Sequence, residues 1–492
     1  MRRIAIIGGG ISGLSAAFYL EQQRRKGAPL EYVLFERTSR LGGSLQTEHA
    51  EGCLIEAGPD SFLTEKPWAA DLCRELSIAD QLIGSNDVGR KTYILVERRL
   101  VPIPDGLMFM VPTRILPVVF SRLFSVGAKV RMAQEWFHPP RPANGDETVA
   151  ALVERHYGAE MVDRLADPLL SGVYGGEASG LSVRAVLPRF AEMEAKHGSL
   201  GRGMLAARRR MAKSNASPRP LFTSLKDGMQ QLVDAILERL PRETLRTGSA
   251  VRKLRRESTR AGAPAPQTDL WRVTADNSGA EDFDSVILAT PGPKAGALLA
   301  PVQADLAREL SGIAYTSSVT VTLGYERAGL GLPPGFGFLV PRSEGKRMLA
   351  CTFVHNKFPH RAPQDRALIR CFLGGSRDEE ILGWSDQQIE LAVRQELRDI
   401  LWLTAKPLFC RVYKWQGAMA QYGVGHLDRL GRIERLRQQL PGLALAGNGY
   451  RGIGVPDCIR SGKEAAAFAA NPQAVVTGVT PAKDPLAQQP TG

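Results

Sequence analysis

Three glycines, Gly8, Gly10 and Gly13, separate the apolar run Ile4-Ala5-Ile6-Ile7 from a stretch of helical periodicity. That stretch runs from Leu14 to about Arg25, with Leu14, Ala17, Phe18 and Leu20 on its apolar side. In a strand–turn–helix unit Gly8 permits the tight turn and Gly10 lets the backbone approach a pyrophosphate. Gly13 lets the helix pack close to the strand. The helix start, at Ile11, Ser12 and Gly13, then turns its free N–H groups to the phosphates. A second strand-like run begins at Glu31 and ends in Glu36, 23 residues beyond Gly13. A carboxylate there binds both ribose hydroxyls and disfavours a 2′-phosphate. The plain alternative is a glycine turn beside a surface Glu, and the complete strand–loop–helix–strand context argues against it.

After Glu36-Arg37 comes Ser39-Arg40-Leu41-Gly42-Gly43-Ser44. Its paired glycines allow backbone to approach flavin phosphates and ring closely. This run resembles the second glycine signature of the amine-oxidase-like flavoproteins, which favours FAD over NAD. Two further motifs are Glu56-Ala57-Gly58-Pro59-Asp60-Ser61-Phe62-Leu63 and the run Gly447–Gly462, which leads into an alanine-rich helix. A helix N-terminus near the flavin ring favours negative charge on its reduced form.

The elements that must position these motifs can be read coarsely. Ser285–Thr290 stops at Pro291-Gly292-Pro293, and Leu443–Ala446 runs into Gly447-Asn448-Gly449. Both read as parallel strands ending in a ligand-facing turn. If they share a sheet with the first strand, the nucleotide domain is built from separated pieces of chain. Residues 315–375 contain alternating segments such as Ser318–Tyr325, which predict an antiparallel sheet. Residues near 100–215 read as helical and mixed. Within them Leu107–Val126 is apolar but interrupted by Pro112, Arg114, Pro117 and Arg122, which argues against a spanning helix and leaves an interfacial or pocket-lining segment. Ser258–Gln267 and the tail after about Asn471 are assigned no structure.

The 492 residues are 43% hydrophobic and 23% charged, which is ordinary globular composition, and the length allows two to four domain-sized units. Six cysteines form no CxxC pair and no His cluster stands near them, so no metal site or disulfide framework is expected. The apolar run after Met1-Arg2-Arg3 is four residues long, too short for a signal peptide. It reads as the first strand of a cytoplasmic protein. The net charge is +12. That suits nucleic acid, an anionic membrane or an acidic small molecule. There is no basic module interleaved with aromatics, so nucleic acid ranks last. The basic run Arg208-Arg209-Arg210, with Lys213 and Arg219, reads as a solvated loop.

Five stretches together carry a closer resemblance: Gly58–Leu63, Leu170-Ser171-Gly172-Val173-Tyr174-Gly175-Gly176, Ser224–Met229, Gly425-His426-Leu427 and Gly447–Gly462. They resemble the oxygen-dependent protoporphyrinogen and coproporphyrinogen III oxidases of haem biosynthesis, from residue 3 to about 470. The resemblance implies an α/β, monoamine-oxidase-like fold, in which a Rossmann-like FAD domain is interleaved with an antiparallel-sheet substrate domain and a helical domain. The corresponding ranges are 1–75, 215–295 and 425–470 for the FAD domain, 76–100 and 296–424 for the substrate domain, and 101–214 for the helical domain, with 471–492 a disordered tail. It implies FAD contacts at Gly8, Gly10, Ile11, Ser12, Gly13, Glu36, Arg37, Gly42, Gly43, Gly58, Pro59, Val251, Trp415, Gly447, Ile453, Gly454 and Val455.

The implied reaction removes six electrons from a porphyrinogen, with molecular oxygen as acceptor and hydrogen peroxide as product. The cofactor carries the redox chemistry, which fits the lack of a Ser-His-Asp set or paired carboxylates. The backbone carbonyl of Gly172 is expected near the macrocycle, and Asp60 and Lys66 in the pocket. Lys66 is a candidate partner for a propionate. Asp60 either holds pocket geometry or orients Lys66. His426 is expected to serve a structural hydrogen-bonding role, since hydride loss needs no strong base if the N–H proton reaches water. The basic chain and the Gly58–Leu63 run with Lys66 favour coproporphyrinogen III over protoporphyrinogen IX. Peripheral contact with the inner face of the membrane and with a downstream haem-pathway enzyme are further expectations. The alternatives are an amine oxidase or carotenoid desaturase on the same scaffold, or a flavin-binding protein without activity.

Overall fold

The first strand, Arg2–Ile7, is the centre of a five-stranded sheet whose other members come from distant parts of the chain. The order is Leu245–Arg246, Leu30–Phe35, Arg2–Ile7, Ser285–Leu288, Leu443–Leu445, and every pairing is parallel. The computed structural model describes residues 1–142, 145–212, 219–258 and 269–471. Most of 258–267 and the tail beyond 471 therefore lie outside the described residues, as does Lys213. The chain divides into two units. One comprises Met1–Gly43, Leu232–Gly312 and Arg432–Gly492, the other Ser44–Gln231 and Ile313–Gly431.

In the first unit the central strands are apolar on both faces, with Ile4, Ala5, Ile6, Val286, Ile287 and Leu288 fully buried, as a parallel sheet covered on both sides requires. The three strands read from the sequence do share this sheet. The two-residue edge strand Leu245–Arg246 was not anticipated, because it is too short to show periodicity. The helix Ile11–Arg25 differs from the amphipathic helix expected. Every residue from Ser12 to Glu21 is buried, so it is a core helix. Its buried carboxylate, Glu21, accepts from Arg24 Nε at 2.9 Å, Arg25 Nε at 2.7 Å and the Tyr32 hydroxyl at 3.2 Å. The C-terminal helix Val455–Ala470 crosses it so closely that a Cβ on Gly462 would collide with the Ser12 carbonyl.

The second unit is built on a seven-stranded sheet. Its order is Phe409–Ala420, Tyr315–Glu326, Arg366–Gly374, Ala350–Phe353, Gly337–Leu339, Thr92–Val96, Arg99–Pro102. The pairings are antiparallel as expected, except that Gly337–Leu339 runs parallel to Thr92–Val96. One face is covered by the helix Asp386–Leu401 through Ile389, Val393, Leu397 and Ile400. Ser385 and Gln388 cap its start reciprocally, at 3.2 and 2.8 Å.

Helices from Ile115 to Ala212 gather a separate hydrophobic cluster around Leu152, Tyr157, Met161 and Leu165. Its polar centre is His156, whose ring nitrogens lie 3.1 Å from Glu135 and 3.2 Å from Glu194. The basic run expected as a loop is instead the end of the helix Leu200–Ala212, which carries Arg208 and Arg209 on its exposed side. The Ser/Asn/Pro composition that suggested a loop begins only after Lys213. Leu107–Val126 forms two short strands and the helix Ile115–Phe120, which buries Val118 and leaves Ile115, Leu116, Val119 and Phe120 exposed.

Candidate cofactor and substrate sites

The glycine loop of the first unit is shaped for a bound phosphate. Gly8 has φ +112, and a Cβ there would collide with the Ala289 carbonyl of the neighbouring strand. A Cβ on Gly13 would collide with the Gly8 carbonyl, so the helix can approach the strand only with glycine at that position. Gly10 is different. It is the N-cap of the helix, with φ −72 and ψ 178, and nothing lies within 4 Å of where its Cβ would be. That open space sits at a helix N-terminus with no side-chain cap and no acid in the first turn. Ile11, Ser12 and Gly13 therefore leave first-turn amides for an incoming anion.

Glu36 closes the other side of the loop. Its carboxylate accepts the Gly9 N–H at 2.7 Å and the Thr38 N–H at 2.9 Å. These bonds fix its direction and leave lone pairs for ribose hydroxyls. Arg37, next to it, is exposed. Gly42 pairs with Gly10 across an isolated bridge, donating to the Gly9 carbonyl at 2.8 Å, so the two glycine signatures meet. A Cβ on Gly43 would stand 3.0 Å from the Gly10 Cα. Val251 opens the strand Val251–Ser258. Gly447, with φ +134, accepts no side chain readily and donates to Ser461 Oγ at 3.1 Å. Ile453 and Gly454 lead into the last helix, which starts at Val455, and Asp457 turns back to accept the Gly454 N–H at 3.3 Å. The Thr290 hydroxyl, just beyond the strand Ser285–Leu288, is buried without a partner. The cradle at Gly10, the uncapped helix and this orphaned hydroxyl all fit a dinucleotide cofactor.

In the second unit the motif Ala57–Leu63 meets the motif Ser224–Met229. Ser224 Oγ donates to the Asp60 carbonyl at 2.8 Å, and the Met229 N–H donates to Glu56 at 2.7 Å. Beneath this turn lies a buried ionic cluster. Lys357 Nζ contacts both Asp60 oxygens, and Arg361 Nη2 lies 3.2 Å from Glu56. Arg370 donates to the carbonyls of Ala57 and Gly58. Burial would raise the Asp60 carboxyl, but Lys357, Arg370 and Arg361 together hold it well below the usual carboxylate range. Burial pushes the Lys357 ammonium down against the pull of Asp60. Burial also raises Glu56, and there it outweighs Arg361 and the Met229 N–H.

Asp60 thus gives its carboxylate to Lys357 and Ser61 and not to Lys66. Lys66 is half-buried in the turn after Leu63, with its N–H on the Leu63 carbonyl at 3.2 Å. Trp415 places its indole N–H on the Ala57 carbonyl at 2.9 Å. Lys357, Arg361 and Arg370 went unnoticed in the sequence. Arg370 carries the clearest signal, a lone charge inside Ala367-Leu368-Ile369-Arg370-Cys371-Phe372-Leu373.

Gly172 is exposed in the last turn of the helix Asp167–Tyr174, where helix geometry leaves carbonyls without intrahelical donors. That helix is held at both ends. Asp167 accepts the Ala178 N–H at 2.8 Å and pairs with Arg377. Gln421 donates to the Tyr174 carbonyl at 2.6 Å, and Gly175 ends the helix in the left-handed region. A π-helical turn, Val162–Ala166, feeds into it, a distortion often found beside functional groups. His426 is buried and stacks on Tyr422 with ring centroids 4.1 Å apart.

The sequence profile described as flavin containing amine oxidoreductase matches residues 11–468. The chain belongs to that family. As a flavin-containing amine oxidoreductase it is an FAD-dependent enzyme, and the Rossmann-like unit is where the family expectation and the geometry of the glycine loop coincide. This family member is 34% identical, over 94% of its length, to coproporphyrinogen III oxidase of Bacillus subtilis (strain 168), of which 97% is covered. It is 30% identical, over 94% of its length, to protoporphyrinogen oxidase 1, chloroplastic, of Arabidopsis thaliana, of which 86% is covered. A crystal structure from Exiguobacterium sp. 255-15 matches with a TM-score of 0.84 and 31% identity, covering 96% of this chain and 99% of that one.

Proposed function

We propose that this enzyme oxidises a porphyrinogen to the porphyrin in haem biosynthesis, with coproporphyrinogen III preferred to protoporphyrinogen IX. The observation that carries the reading is its likeness, over nearly the whole of both chains, to a protein named coproporphyrinogen III oxidase. The motifs at Ala57–Leu63, Ser224–Met229 and Gly172, held in fixed positions in the second unit, support it. When bound, FAD would supply the two-electron redox chemistry for three successive oxidations, with molecular oxygen as the final acceptor and hydrogen peroxide as its product.

The chain's own residues bind and orient. Gly8, Gly10, Ile11, Ser12 and Gly13 hold the pyrophosphate, and Glu36, Arg37 and Val251 the adenosine end. Gly42, Gly43, Gly447, Ile453, Gly454 and Val455 shape the remainder of the flavin site; Gly58, Pro59 and Trp415 are proposed FAD contacts as well. The Gly172 carbonyl accepts from the macrocycle, and Lys66 meets a propionate. Asp60 is a positioning group, since its charge is already balanced by Lys357. No residue is needed as a strong base, because the departing pyrrole proton can pass to water.

Peripheral membrane contact is part of this proposal. No helix among the described residues is long and apolar enough to cross a membrane. Ile115, Leu116, Val119, Phe120 and Val126 are exposed, and Arg114, Arg122 and Arg131 are exposed beside them in the chain. Such a patch suits an anionic lipid surface. Cosedimentation with anionic vesicles at low salt tests it, and a protein left wholly in the supernatant contradicts it. Steady-state oxidation of the two porphyrinogens, followed together with oxygen uptake and peroxide release, tests the reaction. Turnover of protoporphyrinogen IX much faster than coproporphyrinogen III overturns the stated preference.

A further inference from the structure

The Ala57 carbonyl receives side-chain donors from three adjacent strands of the seven-stranded sheet. Thr320 Oγ1 donates at 2.8 Å, Trp415 Nε1 at 2.9 Å and Arg370 Nη2 at 3.4 Å. The register explains the convergence. Ser318 is paired with Trp415 and Thr322 with Arg370, so Thr320 lies midway between the two flanking donors on the same sheet face. A carbonyl oxygen has two lone pairs, so three donors exceed what its own satisfaction requires. Arg370 also holds the Gly58 carbonyl. Next in the chain, Ser224 Oγ and Arg361 Nη2 each donate to the Asp60 carbonyl at 2.8 Å.

Arg370 is 4% exposed and its Nε has no partner. A guanidinium is costly to bury in a strand of apolar residues. The group it holds is a short turn of glycine, proline and one aspartate, in which Asp60 alone has a side chain that bonds, to Lys357 and Ser61. The carbonyls of Ala57, Gly58 and Asp60 are all held, which fixes the peptide planes that follow those three residues.

We infer that Thr320 and Arg370, with Trp415, form an anchor that fixes the Gly58-Pro59-Asp60 turn for substrate oxidation, which makes Thr320 and Arg370 positioning residues. This rests on the reaction proposed above. Neither residue touches a reacting atom. They act through the turn, where a displacement of about 1 Å can lower a rate roughly 100-fold.

The test uses the FAD-loaded enzyme and three variants, T320V, R370M and R370K. Three readings are taken: kcat and KM with coproporphyrinogen III, amide hydrogen exchange across residues 57–63, and thermal unfolding. T320V keeps the side-chain volume and removes one donor. It is expected to exchange faster in that segment and to lose about 5- to 10-fold in kcat, with KM within about twofold. R370M is expected to lose more. R370K is expected to recover the thermal stability of R370M but not its kcat, because the shorter lysine side chain does not place its nitrogen where Arg370 Nη2 meets both carbonyls. If R370M does not fold, T320V decides. A folded, FAD-loaded T320V with unchanged kcat, or with unchanged exchange over 57–63, overturns the inference. Wild-type enzyme that oxidises neither porphyrinogen overturns the proposed reaction instead, and exchange in T320V then decides whether the anchor holds the turn.

Discussion

Lys357 Nζ stands 3.0 and 3.2 Å from the two carboxylate oxygens of Asp60, a pair joined across 297 positions of sequence. Their side chains are 11% and 14% exposed, so neither charge can be left to water if the other is removed. Lys357→Met is expected to destabilise the protein by about 3–5 kcal/mol. The double variant Asp60→Asn with Lys357→Met is expected to recover much of that loss. Denaturant unfolding of wild type, both single variants and the double variant checks both, and additive effects in the double variant contradict a direct pair.

The same cluster sets the response to acid. The folded Asp60 carboxyl is held below its ordinary value, so its contribution to stability is complete above the unfolded value of about 4 and is lost as pH falls through the folded one. Glu56 has the opposite sign. Burial raises it, so its charge weakens the fold above about pH 4 and protonation relieves this. Unfolding free energy measured from pH 6 downwards is expected to fall less steeply in Asp60→Asn than in wild type. In Glu56→Gln, which lacks the relief, the fall is expected to be steeper.

Two glycines of the loop should fail differently. Gly10 has backbone angles open to other residues and free space at its Cβ. Gly10→Val is expected to fold within about 1 kcal/mol of wild-type apoprotein and to bind FAD at least ~10-fold more weakly. Gly13→Ala drives a methyl into the Gly8 carbonyl and is expected to lose stability as well as cofactor. Flavin titration and thermal unfolding of the apoproteins separate the two. Unweakened FAD binding by Gly10→Val contradicts the assignment of the phosphate to this cradle.

Trp402 ends the helix Asp386–Leu401 at φ +57 and is 83% exposed. An L-residue pays for the left-handed region there and gains little burial in return. Trp402→Gly is expected to stabilise the protein by about 0.5–1 kcal/mol with unchanged turnover. A loss of stability by thermal unfolding contradicts this.

The parts legible in the sequence are those encoded by close neighbours. Gly8, Gly10 and Gly13 lie within one turn, and their spacing with Glu36 led directly to the parallel sheet and the dinucleotide loop. Ser285–Leu288 and Leu443–Leu445 are recognisable because each belongs to an apolar run that stops at turn residues, Pro291-Gly292-Pro293 and Gly447-Asn448-Gly449. The ionic cluster was not legible, since nothing local ties Asp60 to Lys357 or Ala57 to Arg370. Asp60 looked out of place beside an anionic substrate because its counter-charge lies some 300 residues away. Only the end of the helix Leu200–Ala212, at Arg208-Arg209-Arg210, reads as a loop in the sequence, because the turn-forming residues that follow it dominate the composition of the window.

The central claim is porphyrinogen oxidation by the bound flavin, and anaerobic mixing of the FAD-loaded enzyme with each porphyrinogen at saturating concentration tests it most directly. The oxidised-flavin absorbance is expected to bleach with both substrates and faster with coproporphyrinogen III. Absorbance that stays constant with both would contradict the account.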